Sequence, residues 1–258
     1  MSRARPRAPA PAPARQRAAA EMPAVSSARI RGIDALRGSA LCLMFVYHFA
    51  FDLRFYRVIA ADFEHDPFWL GFRALIVTSF LLLVGVSLVL AERRGASMSH
   101  FWKRVGVIAA CALAASVGSW IVFPRTFITF GILHCIAVAS VLARPCVRRP
   151  ALALAIGVAM IATAFAFSNP LFDSRAWSWV GFTTHKPPTE DYVPLFPWAG
   201  IVFLGIALGH GLLRTSFAPL APLAHAPRWV TFLGRHSLLV YIVHQPILLA
   251  VLWLFVGR

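Results

Sequence analysis

The chain has 258 residues, 59% hydrophobic and 14% charged, with a formal net charge of +15. A mean hydropathy of +0.70 is more apolar than a soluble domain of this length needs, and apolar runs of roughly 20 residues, enough to cross a bilayer as helix, recur along it. The sequence pI of 11.4 does not point to nucleic acid: no nucleic-acid module is visible, and most Lys and Arg sit in the N-terminal tail and short loops, where they orient helices in a membrane.

Residues 1–28 are rich in Arg, Pro and Ala. They cannot fill a core and are expected to be a disordered basic tail, with no cleavable signal peptide. From residue 29 to 258 the chain reads as one transmembrane domain. Its class is all-α, a polytopic helical bundle, because the strand alternation of a barrel is absent and backbone groups in lipid must be satisfied within helices. Seven spans are expected, at about 35–54, 69–91, 104–123, 127–143, 150–168, 195–213 and 235–256. A loop over 169–193 precedes the sixth, and "APLAPLAHAPRW" before the seventh is expected to be interfacial.

The basic residues test the topology. On one side fall the tail arginines with Arg93, Arg94, Lys103, Arg104, Arg144, Arg148, Arg149, Arg214, Arg228 and Arg235. The other holds Arg54, Arg57, Arg125, Arg175, Lys186 and Arg258. That split predicts a cytoplasmic N-terminus and an outer C-terminus. Cys42, Cys111, Cys135 and Cys146 lie in or beside apolar segments, form no CxxC and imply no disulfide framework.

Ionisable residues inside a bilayer are expensive and mark function by default. His48 and Asp52 stand four residues apart in the first span, one turn up the same helix face. His134 and His244 occupy two further spans, so a shared polar cavity in the outer half is expected. A carboxylate that holds one imidazole tautomer leaves the other ring nitrogen as a general base, and a second histidine can act as acid or acyl carrier. Arg73, one turn into the second span, is expected to snorkel outward, with an anion clamp as the alternative. Proton-coupled transporters or exporters use the same residue types, and a non-enzymatic scaffold is a third reading. Haem is disfavoured because paired same-helix histidines are missing. No metal is expected, since neither His-x3-His nor HExxH occurs.

Local motifs go further. "RIRGIDALRGSALCLMFVYHFAFDL", "SFLLLVGVSLVL", "FGILHCIAVASVL", "DYVPLFPWAGIVFLGIALG" and "LGRHSLLVYIVHQPILL" follow one another over residues 29–258. In this order they resemble the bacterial branch of the heparan-α-glucosaminide N-acetyltransferase-like membrane acyltransferases. The resemblance implies an inner-membrane, multi-pass enzyme that engages acetyl-CoA from the cytoplasm and acylates a glycan or small acceptor, at a sugar amine or hydroxyl, on the outer side. It carries over His48, Asp52 and His134 as catalytic candidates, and Asp191, Trp198 of the "PLFPW" run, His244 and Gln245 as pocket residues. Arg37 is expected to attract the CoA phosphates or anchor its helix end. The lysosomal branch is longer and places its candidate acyl-carrying histidine near His65, so heparan sulfate is not the expected acceptor. The expected partners are membrane lipids and the acceptor, with no nucleic acid; a homodimer is left open.

Overall fold

The computed structural model describes residues 30–256. The expected tail 1–28 and the terminal Arg258 lie outside the described residues. The described chain is helical: α1 (Arg31–Phe55), α2 (Pro67–Arg93), α3 (Met98–Val122), α4 (Ile132–Ala143), α5 (Pro150–Ala166), α6 (Leu195–Arg214), α7 (Arg228–Arg235) and α8 (Ser237–Val256). Among the described residues the only sheet-like pairing is an isolated bridge between Phe130 and Tyr192. Five helices, α1, α2, α3, α6 and α8, are long and apolar enough to cross a membrane; α4 and α5 are apolar but shorter.

Local chemistry sets several of the starts. Asp66 caps α2 by accepting from the Phe68 N–H at 2.8 Å, with Pro67 in the first turn where its missing N–H costs nothing. Ser97 caps α3 through the His100 N–H at 3.2 Å, and Pro150 opens α5. One expected boundary moves. The fourth helix begins at Ile132 rather than 127, because the apolar run before it is held outside the helix: the Ile128 N–H donates to Ser119 Oγ at 3.0 Å, and the Phe130 carbonyl accepts from the Val193 N–H at 3.3 Å. The expected last span coincides with α8, and the short α7 lies just ahead of it.

In lipid, helices gain little from hiding apolar surface from one another, so close packing through small residues takes over. α2 and α6 meet this way. A Cβ on Gly85 would stand 2.1 Å from the Val202 carbonyl oxygen, and one on Gly205 would stand 2.4 Å from that of Leu82. Neither position has room for a side chain. The main core fills the space between α2, α4 and α6 with Leu81, Leu133, Ile136, Val202, Phe203 and Ile206.

Polar contacts gather the helix ends at two poles. At one, Asp34 of α1 meets Arg235 of α7 at 3.5 Å. At the same pole Glu92 of α2 grips Arg144 at 2.6 Å and also Arg148, and His210 of α6 donates to the Val147 carbonyl at 2.8 Å. This is the basic pole. At the other, the long loop before α6 is tied to the α3–α4 turn by Thr126 with Glu190 and by Arg175 donating to the Arg125 carbonyl at 3.2 Å. Lys186 reaches Glu64 of the α1–α2 turn at 3.8 Å. This is the loop pole.

Candidate functional site

Two polar clusters lie toward the loop pole. The first joins α1 to α8. Asp52 is 2% exposed, and its Oδ1 accepts from Gln245 Nε2 at 2.8 Å. The expectation that Asp52 orients His48 is corrected here. Although the two residues are one turn apart, no hydrogen bond joins them among the described residues: Gln245 of the neighbouring helix takes one carboxylate oxygen, and the other has no hydrogen-bond partner. The His48 ring faces His244 instead, edge on, with centroids 4.9 Å apart and planes at 65°. His244 is buried, and its Nδ1 bonds the Tyr241 carbonyl. Asp52 Oδ2, Gln245 Oε1 and His244 Nε2 are buried without a hydrogen-bond partner.

The second cluster lies at the start of α4. Its His134 occupies the third helical position and accepts the Gly131 N–H on Nδ1 at 3.3 Å. The tautomer follows: Nδ1 accepts, so Nε2 carries the proton and points to Ser116 Oγ at 3.4 Å. Ser116 in turn donates to the Ile128 carbonyl at 2.7 Å. Asp191 accepts the Ile132 N–H on Oδ2 at 2.8 Å, where the helix N-terminus favours a negative charge. It approaches so closely that a Cβ on Gly131 would stand 2.2 Å from that oxygen. Burial raises the Asp191 carboxyl above its ordinary value, and Arg73, the Ile132 N–H and His134 partly offset this.

Arg73 links the clusters. Its guanidinium is partly buried and reaches toward the loop pole, donating to the Tyr192 carbonyl of the long loop before α6. It acts electrostatically on Asp191 and on both Tyr47 and His48 of α1. The sequence signal was a lone cation in an apolar run, but its partner lies 119 positions away.

Toward the basic pole a cavity of about 510 Å³ opens between α1, α2, α3, α4 and the α7–α8 junction. Arg37, Lys103, Arg104 and Arg235 line it, with His100 and His236. Arg37 donates to Ser87 at 2.5 Å and lies 3.6 Å from Asp34, so it both lines the cavity and anchors its helix end. Deeper in, the walls become Ile132, Leu133, Ile136 and Tyr241. Of these wall residues, Ile132 gives its N–H to Asp191 and Tyr241 its carbonyl to His244, so the apolar part of the cavity is bonded to a member of each cluster. Sequence reasoning found Arg37 but missed Lys103, Arg104 and Arg235, which it had assigned only to topology.

Two expected site residues stand apart. His65 is exposed in the α1–α2 turn, its Nδ1 3.0 Å from Asp62. There the backbone N–H groups of Glu64 and His65 hold the Asp62 carboxyl below its ordinary value. Trp198 packs against the apolar core. The structure thus brings together His48, Asp52, His244 and Gln245 in one cluster and His134 with Asp191 in another, with Arg37 at the far end of the cavity.

A family model described as "Heparan-alpha-glucosaminide N-acetyltransferase, catalytic" matches residues 29–246. No curated protein and no solved structure matches the chain.

Proposed function

The chain belongs to the heparan-alpha-glucosaminide N-acetyltransferase catalytic family, and from that premise we propose an integral membrane acetyltransferase that takes acetyl from acetyl-CoA at the basic pole and delivers it to a sugar amine or hydroxyl at the loop pole. One observation carries the polarity of this reading: the cavity is cationic at one end and apolar at the other. Arginine and lysine are the usual partners of phosphate oxygens, so the anionic nucleotide part of CoA suits the Arg37, Lys103, Arg104 and Arg235 end. The uncharged thioester arm suits the Leu133 and Tyr241 end. The cavity volume falls within the roughly 300–1,000 Å³ common for small-molecule sites.

The two polar clusters supply the chemistry where the apolar end stops. Attack on the thioester carbonyl requires removal of a proton from the acceptor and release of the CoA thiolate, which leaves with a proton. His48 is the imidazole for proton transfer, and His134, Arg73, Asp191 and Gln245 shape the acceptor side. The excess of Lys and Arg at the basic pole supports a cytoplasmic position for that pole. The N-terminus then lies inside, and α1 to α6 with α8 make seven alternating passes of an inner membrane. The short α4 is compatible with such a pass because the extended residues before it lie against the protein rather than lipid.

Purified protein incubated with radiolabelled acetyl-CoA, with and without a cell-envelope extract, tests the reading. It expects saturable donor binding and label passing to extract components. Absence of donor binding, or substrate-driven proton flux in proteoliposomes without label transfer, overturns it.

A further inference from the structure

The transmembrane histidines differ in what their ring nitrogens are doing. His134 uses both: Nδ1 accepts from Gly131, and Nε2–H points to Ser116. His244 is the opposite tautomer. A carbonyl can only accept, so the bond to the Tyr241 oxygen requires the proton on Nδ1. Its Nε2 is therefore a bare lone pair, and that atom is buried without a partner. The ring beside it is His48, 4.9 Å away centroid to centroid and edge on. Unlike His244, His48 is not fully buried. Asp52, the obvious candidate to orient His48, makes no hydrogen bond to it; its Oδ1 takes Gln245 and its Oδ2 is buried without a partner.

We propose that His244 is the positioning residue of His48, doing for it what a carboxylate does in other histidine bases. This rests on the acetyltransferase reading above. As the acceptor attacks the acetyl carbonyl, its N–H or O–H proton passes to one nitrogen of His48. The proton on the other His48 nitrogen moves toward His244 Nε2, which the Tyr241 bond keeps unprotonated and ready to accept. The new C–N or C–O bond forms as the C–S bond breaks, and the CoA thiolate takes a proton back from the histidine pair, so the protein returns to its starting state. Two neutral imidazoles perform this step without a buried net charge before the acceptor arrives, a smaller desolvation burden than an ionised carboxylate in the same place.

The two amide replacements separate the roles of the two ring nitrogens. His244→Asn places its amide near the Nδ1 position and keeps a donor for the Tyr241 carbonyl, but offers nothing at Nε2. His244→Gln reaches toward the Nε2 position with a carbonyl that can still accept from His48. With radiolabelled acetyl-CoA and glucosamine plus envelope extract as acceptors, His244→Asn is expected to lower kcat by about 100-fold or more, the scale of lost general-base function. Donor KM and thermal stability should stay near wild type, and His244→Gln should retain several-fold more turnover than His244→Asn. A purely structural role for the Tyr241 bond reverses that order, and Asn equal to or better than Gln overturns the proposal. Nitrogen-15 spectra of histidine-labelled protein, assigned by loss of the signal in His244→Asn, should show the Nδ1–H tautomer; the Nε2–H form also overturns it. Wild-type protein that binds no acetyl-CoA brings down the acetyltransferase reading and this inference together. Wild-type transfer matched by His244→Asn brings down this inference alone.

Discussion

Gln245 donates to Asp52 at 2.8 Å and so joins α8 to α1 across 193 positions of chain. The carboxylate is almost completely buried, and this is its hydrogen bond to a side chain. Gln245→Leu is therefore expected to destabilise the protein by about 1.5–3 kcal/mol, the range for a lost bond to a charged group. Asp52→Leu combined with Gln245→Leu should recover most of that, because the double change leaves no stranded polar partner. Unfolding of the single and double variants in detergent measures the difference. Equal loss in Gln245→Leu and the double variant would mean that packing, not the pair, holds α8 in place.

The cavity makes a separate prediction at its cationic end. Lys103→Glu and Arg104→Ala should each raise the KM for acetyl-CoA by about tenfold or more, as expected of a charge-assisted hydrogen bond. Turnover at saturation should change little, because neither residue reaches the two polar clusters. Added salt should weaken donor binding in the wild type and less so in the variants. Initial rates across donor and salt concentrations check both points.

The α2–α6 seam is expected to tolerate nothing larger than glycine. Gly85→Val would drive its side chain into the Val202 carbonyl, which a bare Cβ would already approach to 2.1 Å. Overpacking of this kind typically costs about 1–3 kcal/mol. Here the obstacle is backbone rather than a movable side chain, so the upper end is expected. Gly71, with open space around its Cβ, should accept Ala at little cost. Thermal denaturation of the two variants in parallel tests the contrast.

The proposed orientation predicts which positions impermeant reagents reach. On a background without native cysteines, a thiol introduced at Thr184, in the long loop, should be labelled from outside. One at Ser97, the cap of α3, should not. The opposite pattern would turn the bundle over and move the donor site to the outer face.

Much of the helical architecture is legible in the sequence because lipid imposes long apolar runs, and α2, α3, α5 and α6 sit close to where those runs lie. The errors share one cause. Phe127 to Phe130 read as helix by hydropathy, yet Ser119 and Val193 hold that segment extended through bonds that hydropathy does not encode. The site shows the same division. His48, Asp52, His134 and His244 stand out as polar residues in apolar surroundings. Who bonds whom does not, because helical periodicity ranks only partners within one helix. It favours His48 with Asp52 and is silent about Gln245, which comes from a different helix and bonds one oxygen of the carboxylate. Arg73 was visible as an isolated charge, but its destination in the loop before α6 was not.

Two of the helices that wall the cavity are the least embedded in the protein. Within α3 only Ile108 and Ala112 are buried, and α8 buries little beyond His244 and Leu252. Their outer faces carry Leu113, Val117, Trp120, Leu239 and Trp253 into the surroundings. On the proposed reading the bilayer is thus a mechanical component of the donor site: the lateral pressure and thickness of the hydrocarbon press on two of the helices that wall the cavity. A change of acyl-chain length in the host membrane, which shifts helix tilt at a cost of fractions of a kcal/mol per Å, acts on those helices as directly as a mutation in the cavity wall.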